Sequence, residues 1–134
     1  MMLNNIAQYL QDMGKGSVGS SIFVTEMPRE YKTGILLMDT YGGTRIDHEL
    51  PGYRSTGFRL VVRSPDYKAG GILARSASKA LTLQRHVLML SFDADDAPIM
   101  MRQCLPVTDP KPYRRSDEGV WEFEVDVECV YIEQ

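Results

Sequence analysis

The chain has 134 residues, 43% of them hydrophobic and 25% charged, which is enough for about one domain with a buried core and no need of disulfides or a structural metal. Its 15 Lys and Arg against 18 Asp and Glu leave a formal charge of -3, which excludes a general electrostatic pull toward nucleic acid. The opening MMLNNIAQYLQDMG carries neither a basic leader nor a long apolar run, and no segment is apolar for long enough to span a bilayer, so the expectation is a soluble protein made and used inside a cell or released by lysis.

Leu3, Ile6, Ala7 and Leu10 recur at helical spacing and predict a short amphipathic helix that stops at the glycines from Gly14 to Gly19. The stretch GKGSVGSS has the residue types of a phosphate loop. Such a loop follows a strand and opens a helix, whereas here a helix precedes and the β-type run SIFVTE follows, so it reads as a plain connection. Ser20 to Thr25 and Gly34 to Thr40 predict strands around the turn MPREYKT, the second apolar on both faces and therefore central. A long loop, Tyr41 to Thr56, follows, punctuated by Gly42, Gly43, Pro51 and Gly52. Gly57 to Arg63 then alternates, with Phe58, Leu60 and Val62 on one side and Arg59, Val61 and Arg63 on the other.

A second helix is expected after Arg63, with Ser64 as N-cap, Pro65 in the first turn and Asp66 at the positive end of the dipole. Ile72, Leu73, Ala77, Ala80 and Leu81 form its apolar stripe. Gly70 and Gly71 each weaken it by about 1 kcal/mol relative to alanine, which close approach of another backbone would explain. The last third reads as β: His86 to Phe92, the turn DADDAP, Ile99 to Leu105, the charged proline-rich loop Thr108 to Gly119, and a long terminal strand. One mostly antiparallel or mixed sheet with two helices on one face accounts for this order, an α+β fold in a single domain over residues 1–134.

Catalytic and metal chemistry find little purchase. His48, between Asp47 and Glu49, and His86 lack ligand spacing on a shared helix face, and Cys104 and Cys129 are single and far apart in sequence. DADDAP, with Asp93, Asp95 and Asp96, begins like a calcium loop but lacks its glycine and closing glutamate. No serine stands in a nucleophile-elbow pattern, and Cys104 has no evident histidine partner in sequence. The cysteines read as reduced, buried thiols, Cys129 on the apolar face of its strand.

The terminal strand VWEFEVDVECVYIEQ alternates apolar residues with Glu122, Glu124, Asp126 and Glu128. At period two these carboxylates stand about 7 Å apart, too spread to meet one ion. Arg59 and Arg63, spaced alike on their own strand, are the expected cross-strand basic partners, with Arg102 on another strand as a third. The row reads either as a solvated sheet face or as a face or edge that meets a second copy of the chain.

Four segments carry a resemblance: IAQYLQDMG, GSSIFVTEMPREYKTGILLMDTYGG, LPGYRSTGFRLVVRSPDYKAGGILARSASKAL and CLPVTDPKPYRRSDEGVWEFEVDVECVYIE. In this order and at these lengths they resemble the minor-capsid and tail-terminator proteins of long-tailed bacteriophages. The resemblance implies a structural virion protein with no catalytic role and no cofactor. It implies a hexameric homo-oligomeric ring on the last ring of tail tube protein, which ends tail polymerisation and offers a head-joining surface, with DNA passing through the lumen without specific binding. It further implies location at the tail-neck junction, assembly in host cytoplasm, a head connector or neck protein as partner, and no membrane. A head-completion protein on the connector side is the alternative. On that reading Tyr53, Arg54, Tyr113, Arg114 and Arg115, in the two long loops, are the expected subunit or tube contacts. The acidic row would then line the lumen, where it repels phosphates.

Overall fold

The computed structural model describes residues 2–40, 42–115 and 119–134. Helix α1, Met2–Asp12, buries Leu3, Ile6, Ala7 and Leu10 along the stripe that its spacing dictates. Between them Asn5 is buried too, and its amide donates to the carbonyls of Met89 at 2.9 Å and Ala97 at 3.2 Å, which ties the helix to the far end of the sheet. Buried amides are retained where, as here, they find partners.

Eight strands make one sheet: β1 (Ile22–Val24), β2 (Gly34–Asp39), β3 (Arg45–Ile46), β4 (Tyr53–Ser64), β5 (Val87–Met89), β6 (Ile99–Pro106), β7 (Lys111–Arg115) and β8 (Val120–Glu133). The path runs β1-β2-β4-β8-β6-β5, with β3 paired to β4 and β7 to β8. Of the named strand pairs among the described residues, β1–β2 is parallel and the others are antiparallel, so the sheet is mixed. Together with α2, Tyr67–Ala80, this is the expected α+β architecture. Both helices lie on one face, in a single apolar cluster with Ile35, Leu37, Phe58, Leu60, Val62, Phe123, Val125 and Val127.

The spine is the pair β4 and β8, of 12 and 14 residues, antiparallel from Tyr53 opposite Ile132 to Ser64 opposite Trp121. Their outer neighbours β2 and β6 have only 6 and 8 residues. Overhanging backbone must still find hydrogen-bond partners. This corrects both long loops expected from the sequence. Residues 45–46 pair with the start of β4, and residues 111–115 pair with the start of β8. Each supposed loop thus contains a strand that pairs with the one after it, β3 turning into β4 at 47–52 and β7 lying antiparallel beside the start of β8. Tyr41 and residues 116–118 of those loops lie outside the described residues.

Helix α2 departs from expectation at three points. Asp66 is its N-cap, accepting from the Lys68 N–H, while Ser64 ends β4 and its hydroxyl accepts from the Asp66 N–H at 3.1 Å. Ser64 is held by the β4–β8 ladder, so the cap falls to the first polar residue beyond Pro65. Ile72 is 62% exposed rather than part of the stripe, which runs instead through Gly70, Ala74, Ala77 and Leu81. Gly70 is close-packed, but against a ring: a Cβ there would lie 2.6 Å from Phe123 Cε1 and 3.0 Å from Ser64 Cβ.

Candidate interface surfaces

The face of the sheet away from the helices carries the charge. Because side chains of paired residues share a face, the β4–β8 register brings Arg63 to Glu122 and Arg59 to Asp126. Arg63 Nη2 and Nε lie 3.1 and 3.2 Å from Glu122 Oε2, and Arg63 Nη1 donates to the Tyr31 carbonyl. This pair is covered, with side chains 9% and 13% exposed. Phe23, Leu36 and Val61, with Met27 and Tyr31 against them, form a second apolar cluster on the same face.

Arg59 Nε lies 3.1 Å from Asp126 Oδ1. That pair stands in solvent, and the hydrogen bond that Arg59 donates to the Asp126 carboxylate raises the Arg59 pKa above its ordinary value. Glu124 lies opposite Val61 on one side and Lys111 on the other. Glu128 lies opposite Gly57 and Leu105, at the edge of a 430 Å³ concavity that Arg45 and Gln103 also line. Neither carboxylate forms an ion pair among the described residues. Arg102, the third expected partner, does not join the row. It stands at a bulge between Met101 and Gln103, its guanidinium carbon 5.3 Å from the centre of the Tyr53 ring.

Of the five residues expected as contacts, Tyr53 and Arg54 open β4, and Tyr113, Arg114 and Arg115 close β7. Tyr53 and Arg54 are half-buried, and Arg54 is engaged by Glu133 at 3.5 Å and by the Tyr53 carbonyl at 2.9 Å. Tyr113 is 46% exposed. Arg114 stacks over Trp121 at 5.6 Å, and Trp121 meets the Tyr67 ring edge-on at 4.9 Å. The side chain of Arg115 lies outside the described residues.

His48 and His86 are exposed, the first in the turn between β3 and β4 and the second just before β5, and no three His, Cys, Asp or Glu side chains are grouped to hold a metal among the described residues. Cys104 and Cys129 face each other across β6 and β8, both buried as free thiols. The Cys104 backbone exchanges both of its hydrogen bonds with Leu83, so Cys104 and Cys129 are a non-hydrogen-bonded pair with closely set side chains. Burial pushes Cys129 up to about 12 and raises Cys104 as well, the reverse of an activated nucleophile.

What remains is a long β4–β8 spine with a charged face and an exposed turn between β3 and β4. The family model of the bacteriophage tail terminator protein matches residues 9–132, from within α1 almost to the end of β8. The chain belongs to the bacteriophage tail terminator family. No curated protein matches it by sequence. A tail terminator is a structural component of the phage tail and virion rather than an enzyme. It works through association with tail and head components, so its functional sites are surfaces. No helix among the described residues of this tail terminator is long and apolar enough to cross a membrane.

One surface of the terminator escaped sequence reasoning. Lys68, Ile72, Arg75 and Lys79 of α2 are all exposed. Their spacing of four, three and four residues is that of a helical stripe opposite the buried one, but the apolar side chain of Ile72 reads from sequence as part of the core.

Proposed function

We propose that this tail terminator forms a hexameric ring on the last ring of tube protein, ends tail polymerisation there and offers the surface to which the filled head joins at the tail-neck junction. The observation that carries the reading is the family match across 9–132. The fold supports it physically. A ring needs a heterologous contact that closes, and the exposed turn that joins β3 to β4 gives each subunit a part with which to reach a neighbour.

On this reading the row from Glu124 to Glu128 borders the lumen, where Glu124 and Glu128, which have no ion-pair partner among the described residues, keep DNA phosphates from binding, while Asp126 is paired with Arg59. Glu122 belongs to the same row but is covered. Tyr113, Arg114 and Arg115 on one hairpin, and Tyr53 and Arg54 on the other, are the proposed contacts with tube, head or neighbouring subunit.

Electron microscopy of purified tail tubes grown without this protein and then mixed with it tests the proposal. A single ring at one tube end, with growth halted, is the expected result. Tubes that stay uncapped and keep growing would overturn it, and binding to purified head connectors instead would place the protein on the neck side.

A further inference from the structure

Beside the N-terminal half of α2 runs a groove of 330 Å³. Tyr67, Pro112 and Phe123 line it, Ile72 stands at its lip 62% exposed, and Lys68 and Arg75 flank it. Across the molecule, the tip of the β3–β4 hairpin shows the opposite character. Ile46 and Leu50 are 58% and 49% exposed, and Asp47 and Glu49 stand between them. The tip is held in shape: Asp47 Oδ1 accepts from the Glu49 and Leu50 N–H groups at 2.9 and 3.2 Å, and the Leu50 carbonyl accepts from the Tyr53 N–H at 3.0 Å.

None of Asp47, Glu49, Lys68 and Arg75 forms an ion pair among the described residues. The two patches cannot meet within one chain. The hairpin tip precedes β4 and the groove follows it, and the 12 residues of β4 at about 3.3 Å each separate them by on the order of 35 Å.

We infer that the β3–β4 hairpin tip of one copy docks in the α2 groove of the next, Leu50 and Ile46 meeting Ile72 and the aromatic floor while Asp47 and Glu49 meet Lys68 and Arg75. The inference rests on the ring reading above and supplies its subunit contact. Two different patches at opposite ends of the molecule make a heterologous, head-to-tail interface, the kind that closes into rings. Exposed apolar residues supply the contact area, and the opposite charges set partner choice and orientation.

The test is sedimentation velocity of the full chain and of three variants. Lys68→Glu/Arg75→Glu reverses the groove. Asp47→Asn/Glu49→Lys alters the tip and keeps the Oδ1 acceptor that shapes it. The third variant combines all four. Circular dichroism checks that each is folded. The expected result is rings from the parent chain, loss of the ring species in either two-residue variant, and its return in the four-residue variant. A combined variant that stays monomeric while the parent forms rings would sink this contact and leave the ring standing. Two-residue variants that still form rings would sink it too. A parent chain that is monomeric at every concentration, and also fails to cap tubes, would take down both the ring and the contact.

Discussion

Arg63–Glu122 and Arg59–Asp126 are built from the same kinds of side chain, on the same two strands and the same face, four residues apart in each strand. They differ in what lies over them. The first is under the Tyr31 segment and 9% and 13% exposed; the second is in water at 44% and 53%. Burial strips solvent from both charges, so a covered pair is costly to break, whereas an exposed pair is screened and contributes little. Two ion pairs of equal length can therefore hold quite different shares of the stability. Gly70 and Gly71 repeat the lesson on α2. They are adjacent in sequence, yet a Cβ would collide with Phe123 at 2.6 Å in one case and touch it at 3.7 Å in the other.

The sharpest way to break the first comparison is Glu122→Ala, which leaves the Arg63 guanidinium covered with the Tyr31 carbonyl as its remaining acceptor in this geometry. A loss of about 3 kcal/mol is expected in urea unfolding. A loss below 1 kcal/mol would show that the cover does not exclude water. Next comes Gly70→Ala, for which overpacking against Phe123 and Ser64 predicts a loss of about 2 kcal/mol. Gly71→Ala should instead gain about 0.5 kcal/mol, because helix propensity favours alanine and the added methyl meets only ordinary contact. Equal effects at the two positions would remove the contrast.

Asp126→Ala should cost about 0.5 kcal/mol, and less at high salt, where exposed pairs are screened. The smallest effect at neutral pH belongs to the thiols. Cys104 and Cys129 should react with a thiol reagent only as fast as the fold opens. Their folded pKa values lie above the ordinary 9.0, that of Cys129 at about 12. Above pH 9 the unfolded chain therefore holds fewer protons than the folded one, and stability should fall with rising pH through that window, while remaining level below it. Rapid labelling of native protein at pH 7 would show that the cysteines are not sealed.

Much of the fold was legible. The alternation in 57–63 and 121–131 placed Phe58, Leu60, Val62, Phe123, Val125 and Val127 on one face, and all are buried there. It equally placed Arg59 and Arg63 at the period that meets the acidic row. The outer hairpin arms were not legible. RI at 45–46 is too short to show a period, and KPYRR contains a proline and three basic residues that argue against a strand. Both pair because β4 and β8 leave backbone groups unpaired beside them. The exposed stripe of α2 was hidden for a related reason. Helical periodicity offers two faces, and Ile72 is apolar, so only packing could tell that it points outward.

The sequence by itself determined the helices, the two-sided spine and the identity of the charges on its open face, because periods of 3.6 and two residues are local properties of the chain. Tertiary structure decided which of those charges are covered, which loop segments become strands, and where an apolar residue is left bare beside Lys68 and Arg75. Those outcomes depend on what a distant segment lays over a side chain, and no local pattern encodes that.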